Sequence, residues 1–159
     1  MAVGKNVFLT GHSGFKGGWT ALYLSELGAN VHGYSLPPPS QPSLWEIADV
    51  GSRMTASTFA DIRDFSSLCD AIQNAQPDIV IHMAAQSLVR QSYKDPIETY
   101  SVNIMGTVNF FESVKKLNSV KKIIIFTSDK VYENLNGKIL TEESNLGGID
   151  PYSASKSCQ

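Results

Sequence analysis

Short apolar segments alternate with longer amphipathic segments along the chain. The runs NVFLT (6–10), NVHGY (30–34), DIVIH (78–82) and KIIIFT (122–127) are rich in β-branched residues and apolar at both odd and even positions. This pattern is typical of parallel strands that are buried on both faces. A weaker strand is expected within RMTASTFA (53–60).

Helices are predicted between these strands, over about 15–28, 64–75 and 95–117. Asp64 is the expected N-cap of the second helix. Because strands and helices alternate, right-handed crossovers would build an α/β fold, a doubly wound parallel sheet of the Rossmann type. The third helix has an apolar face, with apolar residues three or four positions apart: Ile97, Tyr100, Ile104, Val108, Phe111 and Val114.

Composition narrows the class of protein. The chain has 159 residues, 42% of them hydrophobic and 18% charged, which favours one compact globular domain over disorder. A net charge of −2 without a basic stripe argues against a nucleic-acid partner. The longest aliphatic run, IIIF (123–126), is too short for a membrane span, and MAVGKN (1–6) lacks the apolar region of a signal peptide. Cys69 and Cys158 have no metal-ligand spacing, so we expect a cytoplasmic protein without a disulfide or a metal site.

The first predicted strand runs into a glycine-rich turn, TGHSGFKGGW (10–19). Such a turn lets backbone N–H groups approach a pyrophosphate at the positive end of the next helix, although a tight turn that binds nothing would look similar. A Walker A loop is excluded because Lys16 stands where that loop needs glycine. His12 is expected to face the backbone of the loop rather than to catalyse. The cofactor-binding residues predicted here are Gly11, His12, Gly14, Phe15, Lys16 and Gly17.

Other positions bear on the adenosine end of a dinucleotide. The second strand ends in GYSLPPP (33–39), without the acid that normally binds the ribose hydroxyls of NAD, so local residues leave NAD and NADP open. Asp61 could accept a hydrogen bond from the adenine amine while Ile62 packs on the ring; the alternative is that Asp61 only caps a helix. Small residues after the fourth strand would let a cofactor lie across the backbone. The predicted cofactor-binding residues in these segments are Asp61, Ile62, Ala84, Ala85 and Gln86.

Tyr152 and Lys156 stand four residues apart, so on a helix both side chains leave the same face. Ser128, Asp129 and Lys130 follow the fifth predicted strand, and ligands of doubly wound sheets bind at the carboxyl ends of strands. An ammonium and an oxidised nicotinamide near the phenol would lower its pKa from about 10 and make Tyr152 a base. The alternative is a surface YxxxK pattern without a role. The five residues are the predicted catalytic set, and Tyr152 and Lys156 are also predicted to bind the cofactor.

These segments together resemble the extended short-chain dehydrogenase/reductases, and among them the CDP-glucose 4,6-dehydratases. The resemblance rests on TGHSGFKGGW (10–19), GYSLPPP (33–39), HMAAQSLVRQSY (82–93), TSDKVYEN (127–134) and DPYSASK (150–156). The related dTDP-glucose dehydratases have an Asp-Glu pair where this chain has Asp-Lys, and that departure is itself typical of the CDP-sugar enzymes.

The resemblance implies a redox-neutral dehydration of CDP-glucose to a 4-keto-6-deoxy sugar with bound NAD, used in deoxysugar biosynthesis for surface polysaccharide. Tyr152 would deprotonate the 4-hydroxyl, Ser128 would hydrogen-bond the reacting oxygen and Asp129 would protonate the departing 6-hydroxyl. Lys130 would either remove the carbon-5 proton or act only as a cation, and both roles stay open. A UDP-sugar 4-epimerase and a non-catalytic dinucleotide-binding remnant are the alternatives.

Extended members of this superfamily are about twice as long and carry a C-terminal substrate domain. The resemblance therefore implies that residues 1–159 are an incomplete NAD-binding domain of a homodimeric enzyme, with dimer contacts through the helix near 95–117 and the helix that carries Tyr152. We expect the isolated chain to have little or no activity. We also expect it to associate, because its fifth strand would be an exposed apolar edge.

Overall fold

The computed structural model describes residues 2–133, 137 and 139–159, and its centre is a single parallel sheet. The strands are β1 (Asn6–Thr10), β2 (Asn30–Ser35), β3 (Ala56–Phe59), β4 (Ile79–His82) and β5 (Lys122–Ile125). Their order in the sheet is β3-β2-β1-β4-β5, so the chain crosses back from one edge strand to the centre after β3. The predicted doubly wound parallel sheet is confirmed.

Helices lie between the strands where the sequence predicts them. Four shorter elements, Leu44–Ile47, Val50–Arg53, Val89–Lys94 and Asp129–Val131, were not predicted. Among the described residues, no helix combines the length and the hydropathy that a membrane span requires. The α-helices are α1 (Phe15–Glu26), α2 (Leu44–Ile47), α3 (Phe65–Ala75), α4 (Val89–Lys94), α5 (Pro96–Tyr100), α6 (Gly106–Val114) and α7 (Pro151–Cys158); Ser101–Met105 is a π-helical turn, and Val50–Arg53 and Asp129–Val131 are 3₁₀ turns.

Side-chain caps fix where several helices begin. The Asp64 carboxylate accepts a hydrogen bond from the Ser67 amide at 3.1 Å, as predicted for the start of α3. Ser43 and Glu46 form a reciprocal capping box at α2, each side chain accepting from the other residue's amide at 3.3 Å. Such caps stabilise a helix by about 1 kcal/mol because they satisfy amides that have no partner within the helix.

The chain divides into two compact units. The first comprises Met1–Ala84 and Asn109–Ile125, and the second comprises Ala85–Val108 and Phe126–Gln159. The first unit contains the whole sheet and a core of fully buried side chains that includes Leu9. The second contains every residue of the predicted catalytic set.

The outer strands of the sheet differ from the central ones in burial. The strands β1 and β4 are buried on both faces, as the sequence predicts, whereas most of β3 and β5 is exposed. The prediction that KIIIFT is buried on both faces is therefore wrong, because β5 is an edge strand with one neighbour. Its exposed Ile123 and Ile124 confirm the expectation of an apolar edge.

The helix predicted near 95–117 is present as α5, the π-helical turn and α6 in direct succession. Within the second unit, four of its apolar side chains, including Ile97 and Met105, are exposed. Its buried positions are instead polar: Thr99, Asn103 and Thr107 recur at steps of four. Hydrogen bonds make this burial tolerable, since the Thr99 and Thr107 hydroxyls donate to the carbonyls four residues earlier.

Candidate functional site

The glycine turn of the first unit is a close approach of backbone segments. Gly11 has φ +78°, which favours glycine, and a Cβ there would lie 2.9 Å from the Ala84 nitrogen. A Cβ at Gly17 would collide with the Gly11 carbonyl oxygen. Gly14 is the N-cap of α1 and has no side chain to cover the first amides of that helix. The turn therefore presents bare backbone at the positive end of a helix, the arrangement that suits a phosphate group.

His12, within this turn, is completely buried. Its Nε2 lies 2.7 Å from the Ser57 hydroxyl, its ring stacks on Phe59 at 5.6 Å, and the edge of Trp45 meets it at 5.2 Å. Burial lowers the pKa of His12 to about 4, and an interaction with the Tyr34 backbone offsets only part of that effect. The side chain faces the protein, so only the main chain of His12 can serve a ligand at the turn.

Two serine hydroxyls lie at the end of β2, where an acid would normally stand. Ser35 Oγ donates to Ser13 Oγ at 2.8 Å, and Ser13 Oγ donates to the Leu36 carbonyl at 2.6 Å. The Ser13 amide also donates to Ser35 Oγ at 3.3 Å. Sequence reasoning missed this pair, because neither serine stands out by spacing. The site has no carboxylate at this position, so the local residues still leave NAD and NADP open.

Asp61 is tied to its neighbour Arg63. The Arg63 Nε and backbone amide donate to Asp61 Oδ1 at 2.9 and 2.8 Å, and hydrogen bonds from the arginine hold the pKa of Asp61 below its usual range. Ile62 is buried, and Asn109 Nδ2 donates to its carbonyl at 3.3 Å. Asp64 caps α3, so Asp61 is not needed for that task. The role of Asp61 toward adenine stays a prediction; Arg63 is a partner that the sequence did not indicate.

The carboxyl ends of β1 and β4 are joined by a threonine. The amides of Met83 and Ala84 both donate to Thr10 Oγ1 at 3.0 Å, and the same oxygen lies 2.8 Å from His82 Nδ1. This arrangement holds the Ala84 backbone beside Gly11. Of the predicted cofactor-binding residues, those from Gly11 to Ala84 lie in the first unit, and Ala85, Gln86, Tyr152 and Lys156 lie in the second.

In the second unit, Ser128, Asp129 and Lys130 are brought together on one tight turn. Ser128 is the N-cap of the 3₁₀ turn Asp129–Val131. Its hydroxyl donates to Asp129 Oδ1 at 3.0 Å and accepts from the Lys130 amide at 3.2 Å. Asp129 and Lys130 are exposed. The serine therefore fixes the carboxylate that follows it, while both charged groups remain accessible.

Helix α7 carries the tyrosine–lysine pair, and Tyr152 and Lys156 are both buried. Asp150 caps the helix, accepting from the Ser153 amide at 2.9 Å and hydroxyl at 2.6 Å. Burial raises the pKa of Asp150, but these hydrogen bonds outweigh it and leave the pKa below its usual range. A Cβ at Gly148 would collide with the backbone of this helix, so glycine is required where the preceding loop meets it.

The Lys156 ammonium is held by backbone and side-chain oxygens. It donates to the Phe126 carbonyl at 2.9 Å and to the Gln159 side chain, and Gln159 Nε2 donates to Thr107 Oγ1 at 2.7 Å. A second link joins α7 to the 3₁₀ turn, since Ser157 Oγ donates to the Val131 carbonyl at 2.8 Å. Within the second unit, these contacts hold the Lys156 ammonium in place and attach the 3₁₀ turn that follows Ser128 to helix α7.

Asn103 is a site residue that sequence reasoning missed. It lies in the π-helical turn, is completely buried, and its Oδ1 accepts from the Gln86 amide at 2.8 Å. Its Nδ2 donates to the Gln86 carbonyl at 3.1 Å and to Ser155 Oγ at 2.8 Å, and Ser155 Oγ donates to the Tyr152 carbonyl at 2.7 Å. The polar series Thr99, Asn103 and Thr107 was the available signal for a buried polar face.

Comparisons with known proteins agree with this geometry. A family model described as GDP-mannose 4,6 dehydratase matches residues 8–159. The chain is 51% identical over 156 residues to the CDP-glucose 4,6-dehydratase of Salmonella typhimurium, covering 98% of this chain and 43% of that protein. It is 34% identical over 153 residues to the UDP-glucose 4-epimerase of Yersinia enterocolitica, covering 95% and 45%.

The fold also matches a solved structure. The UDP-glucose-4-epimerase of Stenotrophomonas maltophila, crystallised with bound NAD and formylated UDP-arabinopyranose, superimposes with a TM-score of 0.83 at 25% identity, over 96% of this chain and 46% of that one. The chain thus spans less than half the length of the proteins it matches. The resemblance to CDP-glucose 4,6-dehydratases is confirmed. Because the family model matches residues 8–159, nearly the whole chain, the chain belongs to the GDP-mannose 4,6-dehydratase family of nucleotide-sugar dehydratases and epimerases.

Proposed function

We propose that a protein made of this chain and a C-terminal half like that of its relatives dehydrates CDP-D-glucose to CDP-4-keto-6-deoxy-D-glucose, a hydro-lyase reaction with bound NAD. The observation that carries the proposal is the turn on which Ser128 fixes Asp129 next to Lys130, in a chain 51% identical to a CDP-glucose 4,6-dehydratase. Dehydration needs an acid for the leaving hydroxyl and a base for carbon 5, and this turn offers a carboxylate and an amine side by side.

The residues of the glycine turn fit a dinucleotide. The close approaches at Gly11 and Gly17 leave no space for a Cβ. Phe15 and Lys16 are the first residues of α1, and because the N-cap Gly14 has no side chain, no cap covers their main-chain amides. We propose that these amides bind the pyrophosphate, that Ile62 packs on the adenine, and that Ala84, Ala85 and Gln86 line the cofactor. NAD would supply the hydride acceptor for carbon 4 and the hydride donor for carbon 6.

Tyr152 is the proposed base toward the 4-hydroxyl of the sugar. Tyr152 takes the hydroxyl proton while carbon 4, whose hydride NAD would accept, becomes a ketone. Ser128 has one hydroxyl proton, so it would exchange its hydrogen bond to Asp129 for one to the reacting oxygen. The cap at Asp150 and the Asn103–Ser155 contact fix the backbone on either side of Tyr152. Lys156 is anchored by the Phe126 carbonyl, so its positive charge stays fixed on the helix that carries the phenol.

Asp129 and Lys130 are proposed to carry out the elimination. The ketone acidifies the hydrogen on carbon 5; the Lys130 amine takes that proton, and Asp129 protonates the 6-hydroxyl as it leaves as water. Replacing Lys130 by methionine should leave oxidation at carbon 4 measurable and stop deuterium exchange at carbon 5. Exchange at the wild-type rate would assign Lys130 to the alternative role, orientation of Asp129 or stabilisation of the enolate as a cation.

A second candidate is a UDP-sugar 4-epimerase. It is favoured by the 34% identity to the Yersinia enterocolitica enzyme and by the fold match to the Stenotrophomonas maltophila enzyme. Asp129 and Lys130 distinguish the two, because an epimerase has no leaving 6-hydroxyl to protonate. The test is incubation of the full-length protein with CDP-glucose and with UDP-glucose. A product that absorbs in the near ultraviolet after addition of alkali is a 4-keto sugar, whereas conversion of UDP-glucose to UDP-galactose alone would favour the epimerase.

Residues 1–159 alone are proposed to have little or no dehydratase activity, since the relatives are about twice as long. Turnover of CDP-glucose by the purified chain would contradict this. Calorimetric titration with NAD would identify a remnant that binds the cofactor without chemistry. We further propose a cytoplasmic homodimer with contacts through the helix near 95–117. This proposal is supported by exposed apolar residues of that helix, namely Ile97, Tyr100, Met105 and Val108.

A further inference from the structure

The outer face of α1, in the first unit, is unusually apolar. Three aromatic side chains are exposed along it, Phe15 by 71%, Trp19 by 54% and Tyr23 by 66%, and Leu27 at the C-cap is exposed by 42%. Soluble proteins rarely expose a contiguous stripe of large apolar side chains unless something binds to it.

These residues share one side of the helix with two charges. An α-helix turns about 100° per residue, so Phe15, Trp19, Tyr23 and Leu27 fall within an arc of about 120°. Two exposed charged residues, a basic one near the N-terminal end of the helix and an acidic one near the C-terminal end, lie in the same arc. They are Lys16 and Glu26, and neither forms an ion pair within the described part of the chain.

The order of these residues is self-complementary. Trp19 and Tyr23 lie two residues before and after the buried Ala21, on the opposite side of the helix from it. The pair Lys16 and Glu26, and the pair Phe15 and Leu27, are likewise equally distant from that position. A two-fold axis through the exposed face would bring the members of each pair together between two antiparallel copies of the helix.

We propose that this face of α1 is an isologous contact between two copies of the protein. Lys16 of each copy faces Glu26 of the other, Trp19 packs on Tyr23, and Phe15 meets Leu27. The contact is distinct from the proposed dimer through the helix near 95–117. It uses the side chains of Phe15 and Lys16, whereas the cofactor proposal uses their main-chain amides.

The exposed area sets the expected strength. A fully exposed large side chain offers about 200 Å², so the four apolar residues leave on the order of 450 Å² uncovered per copy. Two copies would bury about 900 Å² of apolar surface in this way, which is typical of weak complexes. We therefore expect a weak contact whose population rises with protein concentration.

Cysteine cross-linking tests the register. In a background in which Cys69 and Cys158 are serine, the double variant Lys16→Cys/Glu26→Cys should form a covalent dimer on mild oxidation. Within one chain the two positions are about 15 Å apart along the helix, too far for a disulfide. Each single variant would place its thiol about 15 Å from the same position in the partner and should form no covalent dimer. A double variant that forms no covalent dimer, or single variants that cross-link as readily, would overturn the proposal.

Charge reversal gives a second, independent readout. Lys16→Glu and Glu26→Lys should each weaken self-association measured by sedimentation equilibrium, by about tenfold, because each puts like charges together at both ends of the contact. The combined variant Lys16→Glu/Glu26→Lys should restore it, and the same charge change at the exposed Lys121, which lies outside α1 and outside the helix near 95–117, should have no effect. Association that both single variants leave unchanged, or a combined variant as weak as the single ones, would refute the contact.

Discussion

His12 gives the protein a predictable loss of stability in mild acid. Its ring is fully buried against Phe59 and Trp45, and its pKa falls from 6.5 to about 4 because burial disfavours the charged form. Between these two pH values the unfolded chain binds a proton at His12 that the folded protein does not. The free energy of unfolding therefore rises with pH across this window and falls as the solution is acidified from neutrality.

The size of the effect follows from the two pKa values. At pH 5 the unfolded imidazole is almost fully protonated and the folded one is mostly neutral, which costs about 2 kcal/mol of stability relative to pH 7. Below pH 4 the cost levels off at about 3 kcal/mol. Such a loss is a large fraction of the stability of a typical domain.

The contribution of His12 to the free energy of unfolding can be measured by urea unfolding of the wild type and of His12→Gln at pH 7 and at pH 5. Whatever its stability at pH 7, the variant should lose about 2 kcal/mol less than the wild type on acidification. Carboxylates with lowered pKa, such as Asp61, are present in both proteins and cancel in the comparison. His32, whose pKa burial also lowers, is the matched control, and its replacement by glutamine should leave the His12 contribution in place. Equal losses in the wild type and His12→Gln would refute the reasoning.

Three further predictions concern single residues that hold the backbone of the two units in place. Gly17→Ala should abolish calorimetrically detected NAD binding, because its Cβ would collide with the Gly11 carbonyl; unchanged affinity would contradict the role of the turn. Asn103→Ala should lower the free energy of unfolding by about 1–3 kcal/mol, because the part-buried amide and carbonyl of Gln86 lose their partner, and wild-type urea stability would contradict this. Asp150→Ala should cost about 1 kcal/mol at pH 7 through the lost cap, whereas Asp150→Asn should recover most of it.

The sequence predicts the secondary structure well where burial is uniform. The strands β1 and β4 each have a neighbouring strand on both sides and are buried on both faces, so most of their positions are apolar and the pattern is unambiguous. It is less informative at the edge, where β5 has the same apolar composition but is exposed on account of its place in the sheet. Periodicity does not reveal which side of a helix is buried when hydrogen-bonded polar side chains such as Asn103 fill the interior.

The candidate site likewise has some features that the sequence predicts and others that it does not. The glycine turn and the tyrosine–lysine pair are local patterns, so their elements could be predicted from spacing alone. The Asn103–Gln86 and Ser13–Ser35 contacts join residues far apart in the chain, and no local pattern specifies them. Arg63 lies two residues from Asp61, yet its hydrogen bond to that carboxylate depends on the conformation of the loop.

The chemistry proposed for the full-length protein depends on Tyr152 as the base that starts oxidation of the sugar at carbon 4. The decisive measurement is the rate of 4-keto sugar formation from CDP-glucose, followed by its near-ultraviolet absorbance in alkali, for the wild type and for Tyr152→Phe. The wild type should accumulate the ketone, and the variant should be slower by about 10²–10⁴-fold, as expected for loss of a general base. A wild type that forms no ketone from CDP-glucose, or a variant that forms it at an undiminished rate, would contradict the proposed function.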